Sequence, residues 1–348
     1  MMHHRPLGRT GLSVPPIIFG ATNLGNLFRA LEDETKREIV REWIRAVPAP
    51  IVIDSAGKYG AGLSLEVIGR ELKAANIPQE DVIISNKLAW RRVPLTTPEP
   101  TFEPGAWIDI HHDAKQDISY DGILRCWKEG NELLGHYQAS LLSVHDPDEY
   151  LAAASDASDR KRRFQDIVDA YRALSELKQA GQAAGIGIGS KTWSVIRELD
   201  PYCPFDWVMF ANSFTVMNHP PELVQFMENL HQRDIAVINS AVFQGGFLVG
   251  GDFYNYKRVS LDQPEDVERL RWRDRFWEIC KRHGEDPFSV AVAFGRSHPA
   301  VTSIALSSSR PDRVASHVAS VTHQVAPDVW NELRSSALID PSYPYLLG

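Results

Sequence analysis

The chain has 348 residues, 43% of them hydrophobic, and a formal charge of −8; this suits an enzyme-sized globular protein, and the acidity argues against a nucleic-acid partner, whose binding needs a basic face to replace counterions. No run of about 18 apolar residues occurs, which argues against a membrane-spanning helix. Three widely spaced cysteines, Cys126, Cys203 and Cys280, make neither a disulfide framework nor a C-x-x-C metal pattern, so buried, incidental thiols in a cytoplasmic protein are expected.

In chain order, the opening MMHHRPLGRTG lacks the apolar core of a signal peptide. Short apolar runs then recur at 17–19, 51–53, 82–84, 141–144, 185–188, 207–210, 235–238 and 301–305. Their unbroken apolar character suits parallel strands covered on both faces. Amphipathic segments separate them. Residues 34–46 follow Asp33, read as a helix cap, and carry Ile39, Val40, Trp43 and Ile44 on one side. Residues 65–75 carry Val67, Ile68 and Leu72, and 164–179 carry Ile167, Val168, Tyr171, Leu174 and Leu177 before stopping at Gly181. Segments 221–233 and 287–298 repeat the pattern, and the basic stretch 159–163 reads as the solvated start of a helix.

Eight strands alternating with helices predict an α/β fold, a single (β/α)8 TIM barrel with 1–348 as one domain. An open doubly wound sheet would be expected to carry Gly-x-Gly-x-x-Gly after an early strand, and the early strands lack it. Two segments are poor in helical cues: 90–117 after the third strand, and 252–264, with Tyr254, Asn255 and Tyr256, after the seventh. In a barrel both rise as long loops from the C-terminal rim, where active sites lie. The pairs His3–His4 and His111–His112 have no spaced carboxylate beside them, so no metal site is expected.

Three ionisable residues end three successive strands: Asp54 in IVIDSAGKYG, Lys87 in VIISNK and His145 in LLSVHD. A short turn returns Tyr59 to the same rim. A phenol titrates near pH ~10, so it exchanges protons reluctantly at neutral pH. An ammonium beside it favours the phenolate, and a carboxylate keeps that ammonium charged and in place. His145 can orient a substrate oxygen. Such a group moves a proton at a carbonyl or alcohol oxygen while hydride moves at the carbon, and hydride requires a cofactor, since no side chain supplies it.

These motifs, with RPLGRTGLSVPPIIFGATNLG, SYDGILRC, SVHDPD and SSSRPDRV, make the sequence resemble the aldo-keto reductase superfamily over nearly its whole length. LGRTGLSV and VINSAVFQGGFL look most similar to the aldose dehydrogenase branch, which includes D-threo-aldose (L-fucose) and L-galactose dehydrogenases, with pyridoxal 4-dehydrogenase a near relative. The resemblance implies a barrel that binds NAD or NADP without a Rossmann fold, and a catalytic tetrad of Asp54, Tyr59, Lys87 and His145. Many members grip the 2′-phosphate of NADP with a lysine, a serine and an arginine around the eighth strand. The matching positions here are Ser307, Ser308 and Arg313, with Arg310 as a further cation. Ser240 stands where many members stack a tyrosine on the nicotinamide, and Gly189-Ser190 stands where a Ser-Asn pair holds the carboxamide. These departures shift the expectation toward NAD while leaving NADP open. Gly20 and Thr22 match the loop beneath the cofactor, and Asn212 is a looser match.

Trp90, Trp107, Trp193 and Tyr254 are expected to line the pocket, because indoles suit the C–H faces of a sugar ring, with His111 or Asn23 reaching its hydroxyls. The resemblance thus implies NAD(P)-dependent oxidation of an aldose at C1 by a monomer or homo-oligomer acting on a small molecule. The alternatives are NADPH-dependent reduction of small aldehydes or ketones, pyridoxal included, and a non-catalytic cofactor-binding subunit.

Overall fold

The computed structural model describes residues 2–255 and 257–346, so Tyr256 lies outside the described residues. Eight strands pair in parallel and close on themselves: β1 (Ile17–Gly20), β2 (Ile51–Ala56), β3 (Val82–Leu88), β4 (Leu141–His145), β5 (Gly185–Ser190), β6 (Trp207–Ala211), β7 (Ala236–Ser240) and β8 (Val301–Ser307), with β8 returning to β1. Each apolar run of the sequence falls in one of these strands, the seventh strand beginning one residue into its run, at Ala236, and the expected (β/α)8 barrel is the fold.

The runs are apolar throughout because both strand faces are covered. Alternate residues go to different cores. Ile51 and Ile53 pack with Ile39, Val40 and Trp43 in the layer between strands and helices, whereas Val52 joins Ile18, Ile83, Leu141, Met209 and Ile238 inside the barrel. Leu7 and Val14, from a hairpin pairing Arg5–Pro6 with Ser13–Val14, pack into this inner cluster and close its lower end.

The surrounding helices are α1 (Asp33–Ala46), α2 (Leu63–Ala74), α3 (Tyr120–Leu134), α4 (Pro147–Ala152), α5 (Ala157–Gln179), α6 (Trp193–Leu199), α7 (Pro221–Gln232), α8 (Pro264–Arg282), α9 (Pro287–Gly295), α10 (Val314–Ser320) and α11 (Pro327–Ser335). Asp33 proves to be the first helical residue of α1 rather than its cap; Glu32 precedes it in extended conformation with no side-chain capping bond. The first-turn carboxylates Asp33 and Glu34 favour this end through the helix dipole. Helix α5 begins at Ala157, capped by Asp156, whose side chain accepts from the Asp159 amide. Its first turns contain the basic stretch, where Arg160 pairs with Glu198 and Arg162 and Arg163 with Asp159. Apolar periodicity could not reveal this start, because those turns are solvated.

The segment 90–117 is not structureless. Trp90–Pro94 and His112–Gln116 form an antiparallel ladder standing on the rim, with 95–111 as its tip. The segment 252–264 holds a two-residue pairing of Phe253–Tyr254 with Lys257–Arg258. The three cysteines are free and buried, their thiols pushed up to about 12 by burial. Among the described residues, no helix is long and apolar enough to cross a membrane.

Candidate active site at the barrel rim

Strand alternation decides which polar groups meet. With Val52, Ile83 and Leu141 facing the lumen, the period of two turns Asp54, Lys87 and His145 the same way one or two steps nearer the rim. Asp54 does not close β2, which continues to Ala56; it sits in register between Gly20 of β1 and Ser85 of β3. Lys87 likewise is followed by Leu88 within β3. Asp54 Oδ1 accepts from Ser85 Oγ at 3.0 Å, and Oδ2 accepts from Lys87 Nζ. All three strand residues are buried.

Tyr59 follows in the turn after β2, its amide bonded to the Ala56 carbonyl. The backbone of Gly25, in the loop after β1, packs so closely on it that a Cβ at 25 would lie 2.7 Å from the Tyr59 carbonyl carbon. The half-buried phenol ring has Lys87 Nζ 4.8 Å from its centroid and meets the His145 imidazole edge-on, with centroids 5.5 Å apart. The four expected residues therefore form one contiguous group. Burial holds the His145 imidazole well below its usual range; Asp146 works against this, and Lys87, Lys58 and Lys191 reinforce it. A neutral ring at that position suits hydrogen bonding rather than proton storage.

The expected walls divide. Trp107 stacks on Phe102 and tilts over Tyr59 at 5.8 Å, yet is only 4% exposed, so it covers the phenol rather than forming an open wall. Trp90 lies beside Phe102 with Lys58 Nζ over its ring. Trp193 packs on Phe226 of α7 with Arg197 across it, which puts it in the helix layer. Tyr254 lies against Phe247 and beneath Arg269, which bonds its phenol. His111 is exposed beside His112, on the flank shared with Arg92 and Glu66 of α2. Trp193 and Tyr254 are engaged by helix side chains, Phe226 and Arg269, that sequence spacing does not reveal.

Around the rest of the rim, Gly20, Ser240 and Ser307 share the lumen-facing parity of Ile18, Ile238 and Ala305. Ser307 Oγ bonds Thr22 Oγ1 at 2.9 Å and accepts from Asn23 Nδ2 at 2.7 Å. Ser308 closes a turn with the backbone of Arg310, and the Arg310 guanidinium pairs with Asp312. Arg313 is exposed. Ser240 donates to the Phe210 carbonyl at 2.7 Å. Ser190 lies out of phase with the lumen-facing positions and bonds within its own turn to Thr192; Gly189 is the inward residue. Asn212 adopts a left-handed conformation, φ 58°, and its buried Oδ1 has no hydrogen-bond partner among the described residues, like Gln244 Oε1 nearby. Orphaned buried amide oxygens beside hydroxyl-bearing strand ends fit a polar cofactor such as a dinucleotide.

Sequence reasoning passed over a second charged cluster. Lys58, Asp146, Glu103, Glu149 and Lys191 converge beside Tyr59. The three carboxylates lie close enough together to hold a metal ion, but two ammonium groups stand among them. Asp146 adopts φ 50°; burial raises its carboxyl, but His145, Lys58 and Lys191 pull it below the usual range. A lysine directly before the candidate tyrosine was the available signal.

The sequence matches the aldo/keto reductase family over residues 16–337. The chain belongs to the aldo/keto reductase family. It is 26% identical over 345 residues to a pyridoxal 4-dehydrogenase of Microbacterium luteolum, covering 96% of this chain and 97% of that one. It is also 26% identical over 343 residues to a D-threo-aldose 1-dehydrogenase of a Pseudomonas species, covering 94% and 96%. An L-galactose dehydrogenase of Arabidopsis thaliana is 22% identical over 321 residues, covering 91% and 88%. The fold superposes on a glycerol dehydrogenase from Gluconobacter oxydans with a TM-score of 0.69 over 98% of both chains at 15% identity. The family makes this chain an oxidoreductase using NAD(P)(H).

Proposed function

We propose that this aldo/keto reductase oxidises an aldose at its anomeric carbon with NAD(P), sugars of the L-fucose, D-arabinose and L-galactose type being the substrates to try first. The observation that carries the reading is the unbroken chain from Asp54 through Lys87 to Tyr59 and His145 at the lumen end of three adjacent strands. Likeness along nearly the full length to an aldose dehydrogenase supports the choice of substrate.

Asp54, fixed by Ser85, holds the Lys87 amine in place beside the Tyr59 ring, and an ammonium so placed helps Tyr59 accept the proton of the hydroxyl being oxidised. His145, neutral, hydrogen-bonds the same oxygen and directs it to Tyr59. Bound NAD(P) supplies the acceptor for the hydride leaving C1. Gly20, Thr22, Asn212, Ser240, Ser307, Ser308, Arg310 and Arg313 are the residues proposed to hold it; Ser190, out of phase with the lumen and bonded to Thr192, is left out. NAD is the favoured form, because position 307 is a serine already bonded to Thr22 and Asn23 and Arg310 is already paired with Asp312.

A second reading is NADPH-dependent reduction of small aldehydes or ketones; likeness to a pyridoxal 4-dehydrogenase, a name that describes oxidation, supports pyridoxal as a compound to try rather than that direction. Initial rates with NAD and L-fucose, set against NADPH with pyridoxal, separate the two. Tyr59→Phe should cut turnover by about 100-fold or more, the scale of a lost general acid or base. A Tyr59→Phe protein as fast as wild type would overturn the role given to Tyr59 in both, and a wild type that binds NAD(P) but turns over neither pair would leave the chain as a cofactor-binding subunit.

A further inference from the structure

Lys58, next to Tyr59 in sequence, turns a side chain only 2% exposed into three carboxylates. Its Nζ lies 2.7 Å from Glu103 Oε1, 2.8 Å from Asp146 Oδ2 and 2.9 Å from Glu149 Oε2, with the Trp90 ring centroid 4.7 Å away. Lys191, just past β5, brings a second ammonium 2.5 Å from Glu149 Oε1 and 3.5 Å from Glu103 Oε1. Burial opposes both charges, yet the surrounding carboxylates hold both lysines above their usual range. The five side chains come from the turn after β2, the tip of the rim hairpin, the β4–α4 junction and the exit of β5.

A buried ion cluster is weak evidence of stabilisation, because desolvation offsets most of its Coulomb energy. What it holds in place is the better question. Glu103 answers it: its other oxygen, Oε2, accepts the Trp107 indole N–H at 2.9 Å, and Trp107 covers Tyr59. One carboxylate thus links the indole lying on the phenol to the ammonium beside that phenol in sequence. The hairpin tip also carries residues in the left-handed region, Glu103 at φ 45° and Asp109 at 52°, a conformation that costs on the order of 1 kcal/mol each and must be imposed by its surroundings.

We propose that Glu103, clasped by Lys58 and Lys191, is a positioning residue that acts through Trp107 to hold the Tyr59 phenol in its reactive orientation. This rests on the oxidoreductase reading of the tetrad and adds a device that sets its geometry. Substrate and cofactor need not touch Glu103, so its loss should appear in kcat rather than KM.

The test compares wild type, Glu103→Ala, Trp107→Phe and the double variant. Glu103→Ala should lower kcat about tenfold with KM for sugar and cofactor nearly constant, because a small misplacement of a reacting group is costly. Trp107→Phe keeps a ring but loses the N–H, and should fall by a similar factor. The double variant should be no slower than the worse single, since one residue acts through the other. Amide exchange in 102–108 should speed up by about tenfold in Glu103→Ala while the barrel strands keep their protection. Unchanged exchange of that segment, unchanged kcat, or multiplicative losses in the double variant would each overturn the proposal. If wild type turns over no candidate substrate, the tetrad reading fails on its own, and the exchange measurement still decides the clasp.

Discussion

Gly189 has no side chain where Lys87 runs: a Cβ at 189 would lie 2.8 Å from the Lys87 Cδ. Their strands, β3 and β5, flank β4, and the absent side chain on β5 leaves the lysine stem room to run toward Asp54 and Tyr59. Gly189→Ala should therefore leave the barrel folded, with an overpacking cost of about 1–3 kcal/mol, but push Lys87 aside. Turnover should fall by roughly 100-fold, the scale expected when a catalytic group moves by about an ångström. Steady-state rates alongside thermal melts check this; a Gly189→Ala protein with full turnover would mean that the lysine course tolerates displacement.

Lys87 and Asp54 make a buried pair whose carboxylate also accepts from Ser85. Removing one charge strands the other. Lys87→Met is expected to cost about 3–5 kcal/mol of stability and nearly all turnover. The double variant Lys87→Met, Asp54→Asn should regain much of the stability and none of the turnover. Urea unfolding with parallel assays reads both, and recovery of activity in the double variant would show that the pair serves folding alone.

Much of this arrangement was legible in the sequence because a barrel strand is a simple code. Continuous apolar runs marked the strands, and a polar residue at the end of such a run must face the rim pocket if it keeps the lumen parity, as Asp54, Lys87 and His145 do. The same rule, applied residue by residue, separates Gly189 from Ser190 and would have improved the cofactor reading. Loops obey no such period. Aromatic character alone points Trp193 and Tyr254 to the pocket, while the residues they pack on, Phe226 and Arg269, lie well along the chain in helices. The Lys58 clasp joins four separate stretches of chain, so only the folded contacts reveal it.

Arg310 and Asp312 hold each other at the exposed segment after β8. A 2′-phosphate arriving there must compete with that carboxylate for the guanidinium. Asp312→Ala frees the cation and should raise affinity for NADP relative to NAD by about threefold to tenfold, most at low salt because the site is solvated. Quenching titrations with both cofactors measure the ratio. A ratio unchanged by the substitution would place the 2′-phosphate away from Arg310.

Acid should weaken the fold before its carboxylates matter. Burial lowers His298 to about 4, with His231 adding to the effect, and lowers His317 to about 4, with Arg313 adding. His298 Nδ1 accepts the Ala300 amide at 3.1 Å, a bond that a proton on that nitrogen would break, and His317 stacks on Phe288 at 4.9 Å. The unfolded chain takes up protons on these rings near pH ~6.5 while the folded chain does not, so stability is full above that value and is lost as pH falls toward about 4. Each ring contributes about 2–3 kcal/mol across that window by the linkage relation. Asp148 and Glu129, raised by burial, act in the opposite sense and temper the loss. Carboxylates held below their usual range, such as Asp113, give up stability only below about pH 4. Urea midpoints at pH 7 and pH 4.5 should therefore differ clearly, and His298→Asn, which can still accept the Ala300 amide but does not titrate, should flatten the slope. Equal midpoints at the two pH values would mean that these imidazoles charge without cost in the folded protein.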